Sequence, residues 1–234
     1  MSKMKYTTKV TLYNSYFDLN NRLTAKSILS IFQDVASIHA EEIGVGYEEM
    51  LSKNLYWVLS RIKFDIIKMP KINETVIVET WPLVKGRIDF DRDMRILSEE
   101  GETLIIATSK WCVIDATSRM LTRSDNVNYI GEYSDDKNYE DKFNKIILPN
   151  EEMKKKFEYK VRFSDLDHNE HMNNTNYAHL VLNAINNTIF NHFEINFINE
   201  CRLDDNITLF TAEEKENYVI GRVTDKVAFI AYIE

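Results

Sequence analysis

KFEYKVRFSDLDHNEHMNNTNYAHLVLNAI, residues 156–185, is the stretch on which the fold turns. Residues 156–163 alternate like a strand and residues 164–174 form a dense polar loop. Tyr177, Leu180, Val181, Ala184 and Ile185 then recur at i, i+3, i+4, i+7 and i+8, the spacing of one apolar helix face. The same order has already occurred at the start of the chain. Residues 6–13 alternate in part around Val10, Leu12 and Tyr13, and Thr24 can cap a helix. Ile28, Phe32, Val35 and His39 make an apolar stripe to about Glu42, ended by Gly44 and Gly46.

Each helix is followed by a run of strands. After the first come residues 56–66, residues 75–81 stopping at Pro82, residues 87–97, and residues 103–114, with turns at Glu99-Glu-Gly101 and at residues 115–118. After the second come residues 193–201, 208–213, 218–224 and 228–233. Residues 124–150 lie between, polar and closing at Pro149, and read as a surface connector. The halves repeat in pattern and not in sequence. One helix per run of strands predicts an α+β protein with an antiparallel sheet wrapped around each helix.

A chain of 234 residues can hold one large domain or two small ones. No apolar run approaches the ~18 residues of a membrane span, and residues 1–9 are polar, with lysines and no apolar h-region. The expectation is a cytoplasmic protein without a membrane span. Two cysteines do not make a disulfide framework, and Cys112, inside Lys110-Trp-Cys-Val-Ile-Asp115, reads as a small buried hydrophobe. The net charge of −8 argues against non-specific nucleic-acid binding, which rests on phosphate neutralisation. Lys154, Lys155, Lys156, Lys160 and Arg162 read as a solvated linker and strand edge, although a local basic patch is all an acidic partner needs.

The chemistry concentrates in Ser164-Asp-Leu-Asp-His-Asn-Glu-His-Met-Asn-Asn174, where two Asp, one Glu, two His and three Asn share eleven residues. A plain loop needs turn formers and has no need of two histidines, so we read the loop as functional. Asp165, Asp167 and Asn169 open like a calcium loop, but Glu170 stands at the required glycine and Asn176 at the closing glutamate. His168, His171 and Cys201 offer zinc-ligand types without the HExxH spacing, and no metal is assigned. In metal-free hydrolysis, an extended loop would turn Asp167, Asn169 and His171 to one side. That set offers a group to activate water, donors for an oxyanion and a proton carrier. The N-terminus of the second helix follows directly, and Glu200 offers a second carboxylate. Blander roles stand beside these. Asn173 or Asn174 is the helix N-cap, Asp165 fixes the loop, His168 is solvated and His39 belongs to the core or a pocket edge. His179 and His192 carry no pattern.

These residues resemble the acyl-acyl carrier protein thioesterases of the plant and bacterial oleoyl type. The family motif, with Asp, Asn and His at alternate positions followed by paired Asn and a Tyr, falls on Asp167, Asn169, His171, Asn173, Asn174 and Tyr177, and a later Glu-Cys pair on Glu200 and Cys201. The likeness extends to Phe32-Gln-Asp-Val-Ala36, His39, Gly44, Gly46, Trp57, Thr80-Trp-Pro82 and residues 109–115 with Trp111. It departs at Leu180, where the family often has Trp. The resemblance implies a double hotdog. Residues 1–140 would enclose the acyl chain and residues 150–234 would carry the catalytic loop. It implies hydrolysis of fatty acyl thioesters on acyl carrier protein, with no cofactor and the chain a monomer or homodimer. Asp167, Asn169, His171 and Glu200 would be catalytic, Asn174 and Cys201 further candidates, and Trp57 and Tyr177 substrate-binding. For Cys201, discussed in the family as a nucleophile, a water mechanism is favoured, because a thiol beside Glu200 is disfavoured as thiolate. The division of acid and base among Asp167, His171 and Glu200 stays open. An acyl-CoA thioesterase and a non-catalytic acyl-binding module stay as alternatives.

Overall fold

A computed structural model describes residues 5–131 and 133–234. The first four residues of the polar N-terminal segment, and one position of the connector, lie outside the described residues.

The first half opens with β1 (Tyr6–Thr11) and then α1 (Ala25–Glu42), whose first turn is capped by the Thr24 side chain accepting the Ser27 N–H. The sequence stripe is the buried face of α1: Ile28, Phe32, Val35 and His39 are all buried. The helix ends in a Schellman turn. Gly44 takes φ +73°, its N–H donates to Glu41 O, and the Val45 N–H donates to Ala40 O at 2.9 Å. A short α2 (Tyr47–Ser52) follows, which the sequence reading does not contain. Then come β2 (Leu55–Ile66), β3 (Thr75–Pro82), β4 (Asp89–Ser98) and β5 (Thr103–Asp115).

The second half has β6 (Met153–Lys160), α3 (Tyr177–Ile185), β7 (His192–Phe197), β8 (Asn206–Ala212), β9 (Tyr218–Val223) and β10 (Lys226–Ile233). The first and third of these correct the sequence reading. β6 ends three residues earlier than expected, and β7 ends at Phe197 instead of reaching Cys201. In both places the chain turns away to form loops. Asn186, at φ +51°, closes α3 in the left-handed conformation that Asn tolerates.

All the strands join one antiparallel ten-stranded sheet in the order β1-β3-β4-β5-β2-β7-β10-β9-β8-β6. The seam is β2 against β7, with Ile62 opposite Ile195 and Phe64 opposite Phe193. Phe64 and Phe193 stack at 5.3 Å between ring centroids, so the core runs unbroken across the seam. α1 lies across β1 and β3, α3 across β6, β8 and β9, and the two helices touch. Leu180 is buried in this core. Alternate residues of a strand face opposite ways, and the connector uses the face turned away from the helices. Tyr139 Oη donates to Asp65 at 2.5 Å, Arg61 donates to Phe143 O, and the Ile146 N–H donates to Asn196 Oδ1. Residues of β2 and β7 are thus tied to one strap.

Candidate active site

Where the halves meet, a cavity of about 520 Å³ opens between the end of α1, α2, β2 and β4 on one side and the loops at residues 167–174 and 197–200 on the other. Its first-half wall follows from the Schellman turn. That turn sets Val45 inward and leaves its carbonyl to accept the Trp57 Nε1–H at 2.8 Å. Trp57 meets Phe90 edge-on at 4.9 Å between centroids, and both line the cavity with Met50 and Trp111.

The polar loop is not extended, which corrects the reasoning that put Asp167, Asn169 and His171 on one side by alternation. It is a tight turn. Leu166 bridges to Met172, the Asp167 N–H donates to His171 O at 2.8 Å, and Glu170 takes φ +63°. Asp167 Oδ1 accepts the N–H of Asn169 at 2.8 Å and that of His171 at 3.4 Å. All three residues line the same cavity, brought there by the turn. Asn173 is the cap: its side chain accepts the Thr175 N–H at the start of a 3₁₀ turn, Asn174–Asn176, that leads into α3. Asn174 lines the cavity. Asp165 holds the loop's base, accepting the Arg162 N–H and the Tyr159 hydroxyl.

Glu200 arrives from the segment after β7. Its Oε2 lies 3.0 Å from His171 Nε2 and 3.1 Å from Arg119 Nη2. The backbone brings the two loops together, since His171 bridges to Arg202 and the Met172 N–H donates to Cys201 O. The cavity is therefore lined by Asp167, Asn169, His171, Asn174, Glu200, Trp57 and Tyr177. Cys201 is apart from them: it is fully buried, does not line the cavity, and burial pushes its thiol up to about 11 despite the Tyr177 hydroxyl beside it. Tyr177 is buried by the same packing, meeting Phe197 and Phe229 edge-on, and its hydroxyl is pushed up. Leu180 is not part of the cavity wall. His168 is exposed and meets Tyr47 edge-on. Among the described residues no group of three or more His, Cys, Asp or Glu is placed to hold a metal ion.

Two arginines were not singled out from the sequence. Arg92, in the charged run Asp91-Arg-Asp93, lies on the core side of β4 with only 7 % exposure and lines the cavity. Its Nη1 donates to Thr80 Oγ1 and to His39 Nδ1 at 2.9 Å. An arginine can only donate, so Nδ1 is the accepting nitrogen. Burial and the Arg92 charge push His39 down to about 4 and keep it neutral in this pair. Burial lowers Arg92 to about 10, which leaves it charged at neutral pH. Arg119 sits just beyond β5 at φ +60°. Neither a lone Arg in a turn nor a charged residue in an alternating strand carries a sequence signal of its role.

The ten-stranded antiparallel sheet with its two packed helices defines a double-hotdog protein. The family profiles agree with that class. The one described as "Acyl-ACP thioesterase N-terminal domain" matches residues 2–128 and the one described as "Acyl-ACP thioesterase C-terminal domain" matches residues 149–227. The chain belongs to the acyl-ACP thioesterase family. It is 28 % identical over 229 residues to oleoyl-acyl carrier protein thioesterase 2, chloroplastic, of Arabidopsis thaliana, covering 88 % of this chain and 62 % of that protein. It is 28 % identical over 220 residues to the oleoyl-acyl carrier protein thioesterase, chloroplastic, of Coriandrum sativum, covering 84 % of this chain and 59 % of that one. The chain thus spans about three fifths of these relatives' length. An acyl-ACP thioesterase of Bacteroides thetaiotaomicron superposes with a TM-score of 0.84 at 23 % identity, over 98 % of this chain and 97 % of that one. The 12:0-ACP thioesterase of Umbellularia californica gives 0.78 at 19 %, over 100 % and 98 %. At these identities the structural likeness is one of fold.

Proposed function

We propose that this protein hydrolyses fatty acyl thioesters carried on acyl carrier protein, giving free fatty acid and the carrier thiol. The observation that carries this reading is the His171–Glu200 pair, 3.0 Å apart, at a cavity whose other wall combines Met50, Trp57, Phe90 and Trp111 with the buried Arg92. In this reading residues 1–140 form the acyl-chain half and residues 150–234 the catalytic half. Glu200 or Asp167 takes a proton from water, whose oxygen bonds to the thioester carbonyl carbon. Asn169 and backbone N–H groups near Asn174 stabilise the oxyanion. The C–S bond then breaks, and the departing thiolate receives its proton through His171. Trp57 and Tyr177 contact the substrate. Cys201, buried and with its thiol pushed up, takes no covalent part.

No described helix is long and apolar enough to cross a membrane. Both cysteines are free, which suits a reducing compartment, and a cytoplasmic setting is part of the proposal, tested by fractionation. The function is tested by thiol release from acyl-carrier and acyl-CoA thioesters of graded chain length, wild type beside His171→Ala. Turnover on carrier substrates that collapses in the variant is expected. A folded wild type that turns over no thioester overturns the reading, and a uniform preference for CoA substrates overturns the choice of carrier.

A further inference from the structure

Glu200 enters the proposed chemistry from the second half, yet one of its partners comes from the first. Arg119 Nη1 donates to Tyr56 Oη at 2.8 Å and Nη2 lies 3.1 Å from Glu200 Oε2. The same Oε2 is the atom that faces His171 Nε2 at 3.0 Å. Arg202, on the second half, stands farther off at 3.7 Å. Oε1 of Glu200 has no hydrogen-bond partner among the described residues, so the Arg119 contact fixes which oxygen meets His171 and which stays available. Glu200 itself lies outside any strand and its side chain is about one third exposed. A flexible carboxylate there has several rotamers open to it, and an anchored donor selects one. Arg119 is such an anchor, because Tyr56 in β2 holds its other nitrogen and the Tyr56 ring stacks under the guanidinium at 5.6 Å.

We infer that Arg119 is a positioning residue for the reaction: it reaches across from the first half and holds Glu200 in register with His171, so that the reacting group is assembled from both halves of the chain. This rests on the thioesterase reading and adds a residue to it. Arg119 lines the cavity, but its bonds run to Tyr56 and Glu200, so as a positioning residue its loss lowers kcat and leaves KM nearly unchanged.

The test is a set of variants measured by thiol release from an acyl-carrier thioester: Arg119→Gln, Arg119→Lys, Glu200→Gln and the double variant Arg119→Gln/Glu200→Gln. Arg119→Gln is expected to lower kcat by about 10- to 100-fold, part of what a positioned acid–base group supplies, with KM within about threefold. Arg119→Lys, which keeps the charge but not the fork, should recover part of the loss. The double variant should be no slower than Glu200→Gln alone, because residues acting as a unit are not additive. Independent, multiplicative losses, or a full rate in Arg119→Gln, overturn the inference while the thioesterase reading stands. Absence of turnover in the wild type removes that reading first, and is told apart by that.

Discussion

Asp167 and His171 close a turn on each other: the Asp167 N–H donates to the His171 carbonyl at 2.8 Å, and the Asp167 carboxylate accepts the His171 N–H at 3.4 Å. The same carboxylate oxygen accepts the Asn169 N–H. Asp167 thus has a structural duty that an amide can also perform, because the Asn side chain keeps an accepting oxygen. Asp167→Asn should keep stability near wild type and lower kcat about 100-fold if the carboxylate takes part in proton transfer. Asp167→Ala should lose in addition about 1 kcal/mol of stability from the freed N–H groups. Thermal unfolding beside steady-state kinetics separates the two duties. Full activity in Asp167→Asn leaves the residue with the structural one alone.

Cys201→Ala should leave kcat close to wild type and cost about 1 kcal/mol of stability, the size of a small buried truncation. A thiol pushed up to about 11 and without access to solvent is neither a ready thiolate nor a target for alkylation. Iodoacetamide should therefore label the native protein at Cys201 only on unfolding. A thousandfold fall in kcat for Cys201→Ala would instead restore a covalent route.

His192 lies at the seam, with Nδ1 2.7 Å from Asp65 Oδ1. Burial works against its charge, but Asp65 and Glu194 outweigh that and push it up to about 9. For Asp65, burial pushes the carboxyl up, but the hydrogen bonds from His192 and Tyr139 outweigh it and lower the carboxyl. The unfolded value is about 6.5. The folded protein therefore binds the proton more tightly, and this stabilisation is complete below about pH 6.5 and lost as pH rises through 9. Unfolding midpoints measured from pH 6 to 10 should fall in the wild type and fall less in His192→Gln. Parallel curves would remove His192 as the cause.

Gly44→Ala should destabilise by at least about 1 kcal/mol, because φ +73° strains an L side chain. The added Cβ would also lie 2.9 Å from Ile130 Cδ1. The turn it distorts sets Val45 against Trp57, so KM for long acyl substrates should rise along with the loss of stability. An unchanged KM would uncouple the turn from the cavity wall.

Periodicity made α1 and α3 legible, because the residues that repeat at helical spacing are the ones the core buries. It could not reveal α2, whose six residues are fewer than two turns. The loop's polar density singled out residues that line one cavity, but the loop is a tight turn and not the extended segment expected. Glu170 adopts a left-handed conformation that no residue type at that position announces. Glu200 entered as a neighbouring-strand carboxylate, and its contact with His171 spans 29 positions that only the folded loops bring together. Arg92 was hidden for a simpler reason. Between two aspartates it reads as solvent-facing, and only strand register shows that it turns inward. The β2–β7 seam is likewise a long-range pairing, absent from local pattern.

That seam has a bearing on how the chain avoids sticking to its own kind. The free edges of the sheet are β1 and β6, and both carry lysines: Lys9 on one, and Lys154, Lys155, Lys156 and Lys160 on the other. Charged edges of this sort repel a neighbouring strand. At the seam β2 and β7 meet with Ile62, Phe64, Phe193 and Ile195 facing the core and with Lys63 opposite Glu194 on the other face. Cutting the chain in the connector and separating the pieces would lay open two further strand edges, each with an apolar face, as templates for cross-strand association. The halves are each other's edge guards, and a strap that is bonded to both β2 and β7 keeps the guard in place.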